Sequence, residues 1–215
     1  MTKKIFWQDP YLTSLNTRIA TVDGQDVTLE ETIFYAESGG QEGDCGTIGG
    51  KNVYQARKSG KTIIYTLESS HGLQQGDQVN VKIDWTRRYR LMRLHFAAEI
   101  VLELFYKKFP GIEKVGAHIA ADKARIDFIK EESIKPLLAE FGRGAQDLID
   151  ADLPVISAFS DEESERRYWM VEGFAQVSCG GTHLKRTGEV GKILLKRKNI
   201  GKGKERVEIF LNETA

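Results

Sequence analysis

The sequence predicts an α+β protein in two parts, a small N-terminal β-barrel over residues 1–85 and an α+β domain over residues 86–215. Three observations carry this expectation. Short β-rich runs punctuated by glycine turns fill the first part. A long stretch of helical periodicity opens near Thr86, and a hairpin pattern closes the chain between Lys192 and Leu211.

The elements follow in order. Leu15 to Val22 alternates as a strand does, Asp23-Gly24 is a favoured hairpin turn, and Val27-Thr28-Leu29 supplies the return strand. Val53-Tyr54, Thr62 to Thr66, and Val79, Val81 and Ile83 suggest further short strands, separated by turn signals at Ser59-Gly60, His71-Gly72 and Gly76-Asp77. So many short strands in so little chain suggest a small barrel. Thr86 is then read as a helix N-cap, and Leu91, Leu94, Ala98, Val101, Leu102, Phe105 and Phe109 recur at helical spacing until Pro110-Gly111. A strand at Arg125 to Phe128 and a second helix from Ser133 to about Ile149 precede the final hairpin, Lys192 to Lys196 and Arg206 to Leu211.

Composition narrows the class. Charged residues are 29% and hydrophobic residues 40%, as in ordinary globular proteins rather than disordered chains. No apolar run approaches the roughly 18 residues of a membrane span, and the first ten residues lack the apolar core of a secretory signal. Two cysteines, Cys45 and Cys179, are too few for a disulfide framework, so a cytoplasmic location is expected. The formal net charge is zero, yet residues 1–85 carry 8 basic against 11 acidic side chains and residues 86–215 carry 23 against 20. Two basic clusters stand out: Arg87, Arg88, Arg90 and Arg93, and then Lys192, Lys196, Arg197, Lys198, Lys202, Lys204 and Arg206. Phosphates respond to such local patches rather than to total charge. Arg87, Arg88, Lys196, Arg197, Lys198, Lys202 and Lys204 are the candidate RNA-binding residues.

Chemistry concentrates in Cys179-Gly180-Gly181-Thr182-His183. A thiolate and an imidazole joined by two glycines can be turned toward one point, because glycine tolerates tight backbone geometry. Upstream, His95 and Glu99 lie four apart on one face of the predicted helix. One thiolate, two imidazoles and one carboxylate form a ligand set that zinc accepts. If Glu99 ligates, the site has four protein ligands and resembles a structural one. If Glu99 stands behind the metal, two histidines and a cysteine leave a position for water, and Glu99 is free to accept a proton. A second motif, Phe34 to Ile48, contains Gly39-Gly40-Gln41, a loop whose backbone can approach a ligand closely; a barrel corner would use the same residues. Cys45 reads as packing, His71 as a surface turn residue, and His118 as either core or pocket lining.

Taken together these motifs resemble the AlaX family, free-standing relatives of the alanyl-tRNA synthetase editing domain. Phe34-Tyr35 through Gly39-Gly40-Gln41 to Asp44-Cys45-Gly46 is similar to the family's Phe-Tyr-Pro-Glu-x-Gly-Gly-Gln-x-x-Asp-x-Gly segment. Arg93-Leu94-His95 matches the start of its metal-binding helix, and Gly116-Ala117 through Arg125-Ile126-Asp127-Phe128 resembles its Gly-Ser…Arg-Phe-Asp-Phe strand. Cys179 to His183, Thr187 to Gly191 and Gly201 to Arg206 match its end. The chain's length is similar to the longer AlaX forms, which carry an N-terminal β-barrel before an editing domain of the threonyl/alanyl-tRNA synthetase type.

The resemblance implies a trans-editing esterase that hydrolyses tRNA(Ala) mischarged with serine or glycine. It implies His95, Cys179 and His183 as zinc ligands, with Glu99 standing where the family has a second helix histidine. Lys114 or a neighbour falls where the family usually places a glutamine before Gly-Ser, and Ala98 where the synthetases often carry a hydroxyl; both changes bear on which amino acid is removed. Glu99 and Gln41 are the candidate catalytic residues, and Gly39, Gly40 and Gln41 the candidate substrate loop over the terminal adenosine. The alternative is a tRNA-binding module whose metal site has degenerated through Glu99 and which performs no catalysis.

Overall fold

The computed structural model describes residues 1–201 and 203–212; Lys202, one of the candidate RNA-binding residues, lies outside them. The protein is mixed α+β and comprises two compact units, Met1–Tyr89 and Arg90–Ala215. Among the described residues, no helix is long and apolar enough to cross a membrane.

The first unit contains β1 (Lys3–Lys4), β2 (Ser14–Asp23), β3 (Asp26–Leu29), β4 (Glu31–Thr32), β5 (Gly46–Ile48), β6 (Lys51–Asn52), β7 (Gln55–Ser59), β8 (Thr62–Thr66) and β9 (Gln78–Ile83). Seven of these form an antiparallel sheet in the order β6-β5-β9-β2-β3-β8-β7, while β1 and β4 pair in parallel. Asp23-Gly24 turns β2 into β3 as its sequence predicts, with Gly24 at φ 59°. The sequence predicts a barrel here, and the strands form this sheet, in which among the described residues no ladder joins the end strands β6 and β7 into a ring. Val53-Tyr54, read as a strand, instead links β6 to β7. Alternating residues of these strands, Ile19, Val27, Leu29, Ile63, Tyr65, Val79 and Val81 among them, close a core with Phe34 and Tyr35. Gly46 is required by proximity, since a Cβ there would stand 2.0 Å from the Lys82 carbonyl oxygen.

The helix α1 (Trp85–Lys108) is capped earlier than Thr86 suggests, by Asp84. Asp84 accepts a 3.0 Å bond from the Arg87 N–H through its side chain and one from the Arg88 N–H through its carbonyl, also at 3.0 Å. Arg88 is wholly buried in an ion pair with Asp44, whose own carboxylate also accepts the Tyr35 N–H. Its remaining donors bond the carbonyls of Ile33 and Pro10. This corrects its reading as an RNA-binding residue: no part of its guanidinium faces solvent. His71, read as a surface residue, is also buried, with Nε2 3.0 Å from the Gly24 carbonyl and Nδ1 accepting the Leu73 N–H. Cys45, read as packing, is exposed.

The second unit carries most of α1, then β10 (Glu113–Ile119), β11 (Ala124–Ile129), α2 (Leu138–Asp150), β12 (Ile156–Asp161), β13 (Arg166–Val171), β14 (Ala175–Ser178), β15 (Ile193–Asn199) and β16 (Lys204–Leu211). The helix α2 begins later than Ser133 because Pro136 sits in a preceding turn of 3-10 helix, Lys135–Leu137. One antiparallel sheet has the order β10-β11-β16-β15 and another the order β12-β13-β14. Strand β16 alternates, with Glu205, Val207 and Ile209 buried and Lys204, Arg206 and Glu208 half-exposed. Phe105 stacks between Phe128 and Phe141, with ring centroids 4.7 and 4.0 Å away, tying α1 to the first sheet and to α2.

The buried Arg88–Asp44 pair generates a stability prediction. Replacing Arg88 with Met leaves an uncompensated buried carboxylate and should cost roughly 3–5 kcal/mol in urea unfolding, with much of the loss recovered when Asp44 is also changed to Asn.

Candidate metal centre

Two local structures build the site, both in the second unit. The first is α1, where His95 and Glu99 lie one helical turn apart on the same face. The second is the segment leaving β14. The Cys179 N–H donates to the Arg167 carbonyl at 2.9 Å, continuing the β13–β14 ladder by one bond, and the chain then turns so that His183 returns beside Cys179. Gly180 is not in the left-handed region, and a Cβ there would meet no atom within 4 Å. Backbone strain therefore does not demand glycine at this position. A side chain there would point into open space.

The four candidate ligands come together. One donor atom from each of His95, Glu99, Cys179 and His183 lies within 4.8 Å of all the others. His95 Nε2 is 3.5 Å from the Cys179 Sγ and 3.5 Å from a Glu99 carboxylate oxygen, and His183 Nε2 is 3.4 Å from the other oxygen. A tetrahedron of ligands at zinc–nitrogen and zinc–oxygen distances has edges of about 3.3 Å, and a nitrogen–sulfur edge of about 3.5 Å. These three spacings lie near such edges, with the two imidazoles meeting different oxygens of Glu99. Glu99 Oε2 and His183 Nε2 are both buried without a hydrogen-bond partner, as is His95 Nδ1. Buried polar atoms are costly in that condition, and a shared cation would satisfy the first two together. The donor set and its geometry thus fit a zinc ion held by His95, Glu99, Cys179 and His183.

Without a metal, protons must do this work. Burial disfavours the charged form of His95, but Glu99 and Cys179 outweigh it and raise the imidazole well above its ordinary value. His183 is raised in the same way. Burial would push the Glu99 carboxyl up, yet the two imidazoles hold it well below the usual carboxylate range. For Cys179, burial and Glu99 push the thiol up, and His95 and His183 bring it down to about 7.

Two neighbours are not visible from sequence. Ser157 Oγ on β12 is 3.5 Å from His183 Nδ1, placed to fix the ring so that Nε2 faces the other donors. Arg167 on β13 is a buried cation over the Phe159 ring, 5.0 Å to its centroid; burial lowers its pKa and the charge of Cys179 opposes that shift. Neither residue falls in a motif. The available signal was the alternation of Arg167, Trp169 and Val171, all buried, within β13.

The other predicted residues lie elsewhere. Gln41 is buried, with its backbone bridged to Ser38 by two 3.1 Å bonds, while Gly39 and Gly40 take φ of 63° and 88°. This explains the glycine pair as a tight turn. Arg87 is half-buried and paired with Glu42 at 2.6 Å. Arg197 is paired with the buried Glu205 through both nitrogens it offers. Lys196 and Lys198 are exposed on β15, and Lys204 is half-exposed at the start of β16. His118 is half-exposed on β10, opposite Arg125.

The chain matches two family models: "tRNA synthetases class II (A)" over residues 8–87 and "Threonyl and Alanyl tRNA synthetase second additional domain" over residues 171–208, which include Cys179 and His183. It is 31% identical to the alanyl-tRNA editing protein AlaX-M of Pyrococcus horikoshii over 98% of each chain. It is 33% identical to AlaX-M of Methanosarcina barkeri over 98% of this chain and 99% of that one. It is also 31% identical to the alanine–tRNA ligase of Methanococcus aeolicus over 96% of this chain, which spans 25% of the ligase.

The cluster predicts a difference between the two cysteines. After treatment with a chelator, iodoacetamide should label both Cys45 and Cys179; with one equivalent of zinc restored, it should label Cys45 alone, as peptide mass mapping would read out.

Proposed function

Because the chain belongs to the AlaX family of alanyl-tRNA editing proteins, we propose that it is a trans-editing hydrolase that deacylates tRNA(Ala) mischarged with serine or glycine, at a zinc site formed by His95, Glu99, Cys179 and His183. The observation that carries this reading is the convergence of those four donors within 4.8 Å. A cytoplasmic location is the setting in which such a substrate is met.

Zinc bound there would supply Lewis acidity toward the ester carbonyl. The residues of the chain do the rest. Ser157 reaches the far nitrogen of His183 and the helix places His95, so that as zinc ligands both imidazoles would have their Nε2 atoms engaged and unable to act as bases. Glu99 is the only carboxylate in the cluster and accepts the proton of the attacking water. The ester C–O bond then breaks, the leaving ribose oxygen takes the proton held by Glu99 and becomes a hydroxyl, and the amino acid leaves as its carboxylate while the second proton of the water passes to solvent. We assign Gly39, Gly40 and Gln41 to the substrate loop; Gln41 is buried, as His95 and His183 are, and these steps route no proton through it. A second hydrolytic site is the physical answer to serine, because an alanine pocket cannot strongly reject a molecule that adds only a hydroxyl. Arg87, Lys196, Lys198 and Lys204 would meet the phosphates; Arg197 is engaged with Glu205.

One observation favours the second reading, a tRNA-binding module without catalysis. Four protein donors gathered within 4.8 Å would be enough to fill a tetrahedral coordination sphere, which is the habit of structural zinc sites.

Deacylation of seryl-tRNA(Ala) separates the two. The wild-type protein should release serine, Cys179→Ala should lose activity by on the order of 100-fold or more, and Glu99→Gln should lose on the order of 100- to 10,000-fold while still binding tRNA. Equal rates in wild type and Cys179→Ala would sink the zinc-site role; tRNA binding with no deacylation at all would establish the module reading.

A further inference from the structure

The first unit carries a cavity that the metal centre does not use. Its volume is about 570 Å³, and it is lined by β2, β9 and the segment joining β3 to β4. Strand register builds its floor. Asn16 on β2 stands opposite Asn80 on β9, and Arg18 stands opposite Gln78. The alternate residues Thr17 and Val79 point the other way and are buried. Glu30, which follows β3, donates its N–H to the Arg18 carbonyl at 3.1 Å and so stands across from Arg18 on the other side. Gln78, Arg18 and Glu30 therefore form one exposed row across three neighbouring segments.

The polar groups of this cavity are not equally committed. Ser14 and Asn80 bond each other, and Asn80 Nδ2 also donates to Asn16 Oδ1 at 2.7 Å. The Asn16 amide is thus held through its oxygen, and its Nδ2 remains to donate. Glu31 is paired with Lys3 at 2.7 Å. Among the described residues, Arg18 and Glu30 have no ion-pair partner. The uncommitted charges of the lining are therefore one guanidinium and one carboxylate, side by side and equal in number. The next charge along the exposed face of β9 is Lys82, which stands opposite Ser14 and outside the lining.

We propose that this cavity binds a free α-amino acid, with its carboxylate on Arg18 and Asn16 Nδ2 and its ammonium on Glu30. Charge selects the ligand. A phosphate or sulfate would meet Glu30, and a simple cation would meet Arg18, whereas a zwitterion meets each group with its opposite. Spacing agrees with charge. The two ionised groups of an α-amino acid are one carbon apart, which suits partners on paired segments whose backbones lie about 5 Å from each other. The Gln78 amide and the remaining volume are left for the side chain, so small and polar amino acids fit best. The inference goes beyond the proposed editing reaction, in which such a zwitterion is a product, and it rests on neither that reaction nor the metal centre.

The test is a titration of the zinc-loaded full chain with L-serine and with L-glutamine, followed by nitrogen–proton correlation NMR. The Asn16 side-chain amide and the Arg18 Nε–H should shift saturably with one or both. Arg18→Ala and Glu30→Ala, both at exposed positions, should each weaken that binding about 10- to 150-fold, the loss of one hydrogen bond to a charged group. The N-acetyl derivative, which lacks the ammonium, and the methyl ester, which lacks the carboxylate, should lose affinity to a similar extent on the unaltered chain. Cys179→Ala should bind as wild type does, so that failure of the editing reaction and failure of this cavity are read separately. No shift with either amino acid, shifts confined to residues around Cys179, or equal shifts with D-glucose or inorganic phosphate would overturn the proposal.

Discussion

A carboxylate, a thiol and two imidazoles cannot be buried together unless their charges are balanced inside the cluster. His95, Glu99, Cys179 and His183 meet that constraint by facing one another. Two imidazolium protons or one divalent cation balance a carboxylate and a thiolate equally well, so either occupant leaves the cluster close to neutral. That balance also explains the opposed directions of titration: the acids are held toward their charged forms and the imidazoles toward theirs. The surrounding second unit serves this cluster. Helix α1 sets His95 and Glu99 one turn apart, the end of the β13–β14 ladder places Cys179, and Ser157 on β12 reaches the far nitrogen of His183.

The same rule, that a buried charge brings its partner with it, sorts the basic residues. Arg88, Arg197 and Arg206 look alike in sequence, yet each is bound to a carboxylate, Asp44, Glu205 and Asp127 respectively. They fix tertiary structure. The lysines of β15 and the start of β16 lack such partners among the described residues and remain for solvent or a polyanion. A cluster that counts as one basic patch along the chain therefore divides into structural arginines and available lysines in space. The division follows from chemistry, because a planar guanidinium satisfies two carboxylate oxygens and two carbonyls at once, and lysine is better left hydrated.

Legibility in the sequence tracked how local each signal is. Helix α1 and the Asp23-Gly24 and C-terminal hairpins could be read because periodicity and turn chemistry act within a few residues. The sheet β12-β13-β14 could not, because its first strand is largely exposed and carries no clean alternation. Ser157 and Arg167 stayed hidden with it. His71 was misjudged because a histidine before glycine looks like a turn tip, whereas both of its ring nitrogens are engaged with backbone groups. Strand alternation also reports which face is buried without saying which strand pairs with which, so it could not decide whether the N-terminal sheet closes. The ligand set was legible for a different reason: few residue types bind metal, and their spacing on a helix and around a turn already limited where they could point.

Glu99 is where the remaining chemistry concentrates. A carboxylate differs from an imidazole at the same helix position in two ways that matter for ester hydrolysis. It brings a negative charge, which lowers the net charge of a zinc-loaded site and with it the electrophilicity offered to a carbonyl. It also brings a second oxygen, so one atom can face the cation while the other handles a proton. In the structure those two oxygens already point to different partners, one toward His95 and one toward His183. The first effect weakens catalysis and the second restores a base that imidazoles held as ligands do not provide. A site with this composition is therefore a coherent hydrolytic one in the proposed reading, with its acid–base function gathered onto the residue that also helps hold the metal.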